Sequence, residues 1–236
     1  LAPLVEEELR SVKDHINYSL KTRGALSSKA DSTINKLNAL VLASSVELDI
    51  PDTLVTSRKS DLEEFIEKYP KVISKSIATA RKIFCEEGSL IPYTVLLDKD
   101  ILLELDDEFF PSLFQECLDK SYELRVFYLD GECYAMAIFS QLDEETKIDF
   151  RNYNFSHPNR TVPFRLPKPL THNIHRFMVK AGLKCGSLDL VLTKDFRFVF
   201  LEVNPVGQFG MVSYPCNYNL EKKIADFLLK LSSNEK

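Results

Sequence analysis

Glycine is scarce in this chain, with seven residues in 236. Loops that cradle phosphates usually draw on several glycines close together, so a loop of that kind has little to build on. Long apolar runs are missing too. None approaches the ~20 residues of a membrane-crossing helix, and the opening, LAPLVEEELR, is acidic and unlike a secretory signal. Cysteines number five: Cys85, Cys117, Cys133, Cys185 and Cys216. They are odd in number, scattered and without CxxC spacing. That argues against a disulfide framework or a zinc site and for reduced thiols in a cytosol. A net charge of −5 gives no reason to expect a nucleic-acid partner. No internal repeat or low-complexity tract is present.

What remains is an ordinary globular composition, 44% hydrophobic and 28% charged, long enough for one large or two small domains. Its most informative stretch is GSLDLVLTKDFRFVFLEVNPVGQ, Gly186 to Gln208. The alternation predicts two strands joined by a polar turn at Lys194-Asp195. Leu188, Leu190 and Leu192 share one face of the first strand, and Asp189, Val191 and Thr193 the other. Glu202 and Asn204 are two apart, so both leave one face of the second strand. An antiparallel pairing can bring Asp189 beside them. Three hard oxygen ligands without imidazole or thiolate suit magnesium. A half-buried hairpin with polar tips is the alternative. Pro205 ends the ladder.

Upstream, Leu4, Val5, Leu9, Val12, Ile16 and Leu20 predict an amphipathic helix, usable between domains or as a dimer face. A second helix is expected over about 33–47 and a short strand over 53–56. A helix follows over 61–68, capped by Ser60 or Asp61, then a strand over 71–75. Further strands are expected over 93–97 and 109–118. Residues 122–127 and 134–139 read as a hairpin about the Asp130-Gly131 turn. Arg125 interrupts an apolar strand and calls for a carboxylate or phosphate partner. The four prolines between Asn154 and Pro169 predict an extended loop holding His157, a surface residue. His172 and His175, three apart on a helix over 171–181, have metal-binding spacing but no third ligand. Residues 207–219 read as a loop, Cys216 as structural, and 220–231 as the last helix.

Asp189 followed by FLEVNP resembles the metal-binding end of the ATP-grasp ligases. The longer wording FLEVNPVGQFGMVSYPCNYNLEKKIADFL, with FPSLFQE upstream, is similar to one branch. That branch makes microviridin-like, ester- or amide-crosslinked peptides (the graspetide synthetases, including the grasp-with-spasm group). The resemblance implies an α+β ATP-grasp fold, two lobes with antiparallel sheets enclosing the nucleotide. It divides the chain into an N-terminal helix and linker over 1–34, a small lobe over 35–114 and a large lobe with the metal site over 115–236.

The same resemblance implies ATP and Mg2+ as cofactors. Asp189, Glu202 and Asn204 become the metal ligands, with Asn204 also touching the nucleotide. Lys36 and Lys75 become the two phosphate lysines. The glycine-rich flap usual after Lys75 is replaced by Ser76 to Arg81. Gln115, Glu116, Cys117 and Leu118 become the adenine edge, with backbone groups of Cys117 and Leu118 facing the base. Glu123 becomes the ribose acceptor. Arg125 is expected at the cleft, and Arg151, in Asp-Phe-Arg, against the γ-phosphate or an acyl-phosphate. Gln208 is a substrate-side candidate. The implied function is ATP-dependent crosslinking of side chains in a ribosomally made precursor peptide, leader plus core. The implied setting is a cytoplasmic homodimer, with no membrane or nucleic-acid partner. The alternatives are a ligase adding glutamate or another amino acid to a protein, and a peptide-binding module without catalysis.

Overall fold

A computed structural model describes residues 2–21, 26, 34–78, 83–85, 88–90, 94–142, 158–205 and 207–233. Two antiparallel sheets dominate it. The smaller has four strands in the order β1-β6-β2-β5, formed by β1 (Thr53–Arg58), β2 (Val72–Lys75), β5 (Val95–Leu96) and β6 (Glu108–Glu116). Helices α3 (Lys59–Lys68) and α4 (Lys99–Glu104) accompany it. Leu62, Val72 and Phe114 form its core, with Phe65, Leu102 and Phe109 packed on. A separate hairpin, β3 (Ile83–Cys85) with β4 (Gly88–Leu90), lies between β2 and β5 in sequence.

The larger sheet has five strands in the order β11-β10-β7-β8-β9. These are β7 (Lys120–Leu129), β8 (Glu132–Ile138), β9 (Thr161–Phe164), β10 (Cys185–Thr193) and β11 (Phe198–Asn204). One face is covered by α2 (Lys36–Ser44) and α5 (Lys168–Lys180). Leu40, Ile174 and Phe177 meet Leu188, Leu190 and Phe200 there. The opposite face is shared. Phe127, Met136 and Ile138 are covered by Val212 and Cys216 of α6 (Gly210–Cys216) and by Leu220 of α7 (Leu220–Ser233). The other half of that face forms the floor of a cleft against the small sheet.

Local chemistry explains the elements that frame the cleft. Asn35 caps α2, its Oδ1 accepting from the N–H of Leu37 at 2.9 Å and Asn38 at 3.1 Å, which makes Lys36 the first helical residue. The β7–β8 turn places Asp130 at φ 43° and Gly131 at φ 102°, the left-handed pair a two-residue hairpin requires.

Three expectations are corrected, and one helix, α4, forms in a segment to which the sequence assigns no element. The proline-rich loop contains β9, paired with β8 through Pro163; an edge strand tolerates the missing N–H. Residues 99–104 form α4, capped by Asp98, whose Oδ1 accepts from Ile101 N–H at 2.8 Å. The loop over 207–219 contains α6, which ends at Asn217 in the left-handed region, φ 54°. Helix α3 starts after Arg58 without a side-chain cap, because Asp61 binds Thr56 Oγ1 at 2.6 Å and Arg58 instead.

The first helix, α1 (Ala2–Lys21), leaves Leu4, Val5, Leu9, Val12 and Ile16 each more than half exposed. No helix among the described residues is long and apolar enough to cross a membrane.

Candidate active site

The cleft between the sheets has a volume of about 540 Å³. Ile73, Lys75, Gln115 and Glu116 line it from the small sheet, and Glu123, Asp189, Val191 and Glu202 from the large one. The β6–β7 connection, Cys117 to Asp119, closes one side.

A one-residue irregularity decides which side chains face this space. In β10–β11, Asp189 is opposite Glu202, but the next pair is Leu190 with Phe200, so Leu201 is the extra residue of a β-bulge. Regular alternation would keep Glu202 on the face of Phe198 and Phe200, which pack into the core. The bulge moves Glu202 to the cleft face, opposite Asp189. Asn204 follows on that face, opposite Ser187, and is exposed. A second bulge, at Ser121, sits where Thr193 pairs with Lys120 but Leu192 with Tyr122. It puts Lys120 on the face of Glu123.

The carboxylates on this floor each have a cation. Arg125 is opposite Asp189 on β7 and is itself buried. Its Nη1 donates to both Asp189 oxygens, at 2.7 and 2.6 Å. Arg125 thus stands beside Asp189 on the neighbouring strand, on the same face of the sheet, and meets the cleft through that carboxylate. Its Nε is buried and has no partner among the described residues. Lys36 Nζ reaches Glu202 Oε2 at 3.3 Å from the start of α2. Lys120 Nζ binds Glu123 Oε1 at 2.8 Å, and the buried Ser140 hydroxyl donates to the same oxygen at 2.8 Å. Burial pushes the Asp189 carboxyl up to about 6; Arg125 pulls the other way, and Glu202 and Glu123 add to the rise.

At the positions expected to form the adenine edge, Gln115 is buried and its Nε2 donates to Thr53 Oγ1 at 2.8 Å. Glu116 Oε1 accepts from Asp52 N–H at 3.0 Å. The Cys117 N–H donates to Lys71 O at 2.9 Å, so that group is used within the protein; burial pushes its thiol up. Leu118 lines the cleft. Cys216, also raised by burial, lies in the core beneath α6. His175 Nδ1 bonds Tyr128 Oη at 2.7 Å and His172 is exposed, and among the described residues no third metal ligand joins them. Arg151 and His157 lie outside the described residues.

The structure therefore gathers Lys75, Gln115, Glu116, Cys117, Leu118, Glu123, Asp189 and Glu202 around one space. Lys36 joins through Glu202. The supporting Lys120 and Ser140 were missed. Lys120 is an odd number of residues from Glu123, which in a regular strand puts the two on opposite faces. Ser140 is 17 residues from Glu123 and carries no local signal.

No protein-family model matches the sequence, and no curated protein matches it. Solved structures do. A RiPP-associated ATP-grasp ligase of Chryseobacterium gregarium, in complex with ADP and a leader and core peptide, has a TM-score of 0.85 at 23% identity, covering 100% of this chain and 71% of its own. The macrocyclase MdnC of Microcystis aeruginosa MRC, bound with precursor peptide MdnA, has a TM-score of 0.79 at 24% identity, covering 98% and 72%. The macrocyclase MdnB of the same organism has a TM-score of 0.71 at 27% identity, covering 97% and 71%. This chain has the ATP-grasp ligase fold, in the form that these macrocyclases and the RiPP-associated ligase share.

Proposed function

We propose that the protein is an ATP-dependent ligase that crosslinks side chains of a ribosomally made precursor peptide. The observation that carries this reading is the Asp189–Glu202 pair on the floor of the cleft. The fold adds support, because the Chryseobacterium ligase that shares it binds ADP with a leader and core peptide.

The donor set fits magnesium. Asp189, Glu202 and Asn204 offer only hard oxygens, and magnesium usually keeps several waters or phosphate oxygens as well. When bound, magnesium neutralises charge on the phosphoryl oxygens. Lys75 adds positive charge at the cleft, with Lys36 and, by resemblance, Arg151. Gln115 to Leu118 form the adenine edge. Glu123, held by Lys120 and Ser140, accepts from ribose hydroxyls. Arg125 acts through Asp189.

In the first step a peptide carboxylate oxygen attacks the γ-phosphorus, the bond to the ADP oxygen breaks, and ADP leaves. A Ser or Thr hydroxyl, or a Lys amine, of the same peptide then attacks the acyl carbon and loses its proton. Phosphate leaves with the carbon–oxygen electron pair, giving a macrolactone or macrolactam. Catalysis rests on positioning and charge stabilisation. In this reading the four-stranded sheet belongs to the small lobe, and the five-stranded sheet, with α2 packed on it, to the large one. The exposed stripe of α1 suits a homodimer contact, and the setting is the cytoplasm.

Incubation with a candidate precursor, ATP and Mg2+, followed by mass analysis, tests the reading. The expected product has lost one water per crosslink, with one ADP released for each. A gain of amino-acid mass indicates addition to a protein instead, and peptide binding without ADP release indicates a module that does not catalyse.

The Asp189 carboxyl adds a pH dependence. Its unfolded form releases a proton near 3.8, its folded form near 6. In the free protein this contribution to stability is full below pH 3.8 and is lost as pH rises through 6. Cation binding runs the opposite way, since the proton competes with the metal. Mg2+–ADP affinity is expected to fall toward about tenfold per pH unit below pH 6. Calorimetric titrations across that range check it, and a flat profile contradicts it.

A further inference from the structure

Lys36 is placed oddly for a residue whose expected work is at the nucleotide phosphates. It is the first residue of α2, and its ammonium is 3.3 Å from Glu202 Oε2. The positive end of the helix dipole disfavours a cation there and favours a carboxylate. Glu202 answers that preference, and Lys36 reaches it from the same helix end. Across the sheet, Arg125 holds Asp189 in the same way.

Without these cations, the paired Asp189 and Glu202 carboxylates would repel each other in a partly desolvated cleft. With them, each carboxylate has a cation against it. Arg125 is buried and fixed, whereas the Lys36 and Glu202 side chains are 22% and 26% exposed. Lys36 is therefore the replaceable cation.

We propose that Lys36 is the resident counter-ion of the metal site. It occupies Glu202 until a divalent cation arrives, and then hands the carboxylate over and swings to the nucleotide phosphates. The inference rests on the ligase reading above and adds an order to it. Metal entry releases a phosphate-binding lysine, so metal and nucleotide bind cooperatively. Lys36 is a positioning residue before nucleotide binds and a phosphate contact afterwards.

The test is Mn2+ binding to the full chain without nucleotide, followed by electron paramagnetic resonance. Lys36→Met is expected to bind Mn2+ about two- to fivefold more tightly than the wild type, the range a partly exposed ion pair supplies. Lys36→Arg is expected to restore wild-type affinity, and adding Glu202→Gln to Lys36→Met to remove the gain. Loss of a merely structural lysine would lower the melting temperature and leave metal affinity unchanged. Mn2+ binding by Lys36→Met equal to or weaker than wild type overturns the counter-ion role and leaves the ligase reading standing. Failure of the wild type to bind Mn2+ even with ADP present overturns the ligase reading, and the counter-ion role with it.

Discussion

Glu202→Gln is expected to lower peptide-dependent ATP turnover by about 10²–10³-fold, the usual cost of losing one charge-stabilising contact, while the unfolding midpoint moves little. Glutamine keeps the shape of the side chain. Glu202 is also partly exposed, so the Lys36 ammonium it leaves behind keeps access to water. The loss falls on cation binding alone. ADP release in the steady state, with and without peptide, measures the first effect, and urea denaturation the second. Full ATP consumption by the variant would remove Glu202 from the metal site.

Position 189 behaves differently, because its carboxylate is half of a buried ion pair. Asp189→Ala leaves the Arg125 guanidinium buried without a counter-charge, which costs about 3–5 kcal/mol. Turnover is expected to vanish together with much of the stability, so this variant alone is a poor probe of chemistry. Replacing both partners with leucine removes the unpaired charge, and an apolar pair in that place is often neutral or stabilising. The double variant is expected to recover most of the lost stability and none of the activity. Urea midpoints of Asp189→Ala and of the double variant check this. An Asp189→Ala midpoint equal to wild type would mean that the Arg125–Asp189 pair does not form in solution.

The Asp189 and Arg125 pairing shows what could be read in the sequence. An arginine inside the apolar run YELRVFYL demands a partner, and an aspartate in LDLVL offers one. Alternation alone marked both strands, and their register made the contact. The position of Glu202 was reached with the right outcome and an incomplete reason. Regular alternation places it with Phe198 and Phe200, and only the Leu201 bulge turns it to the cleft. A bulge leaves no pattern in hydrophobicity, so periodicity cannot report it. Strand β9 was hidden because its proline is a loop signal unless the strand is known to be at an edge. Helix α6 is seven residues long with Pro215 inside, too short for a helical period to stand out. Lys36 was legible as a charge on a helix but not as a partner of Glu202. That contact joins residues far apart in sequence and depends on where α2 meets the edge strand.

The most direct test is a crystal of the protein grown with ADP and Mn2+, with the metal located by anomalous scattering in the wild type and in Glu202→Gln. The wild type should show anomalous density in the cleft within about 2.0–2.3 Å of carboxylate oxygens of Glu202 and Asp189 and of ADP phosphate oxygens, and the variant should lose it. Density elsewhere on the protein, or in this place but unchanged by the substitution, would contradict the assignment of the cleft floor as the metal site.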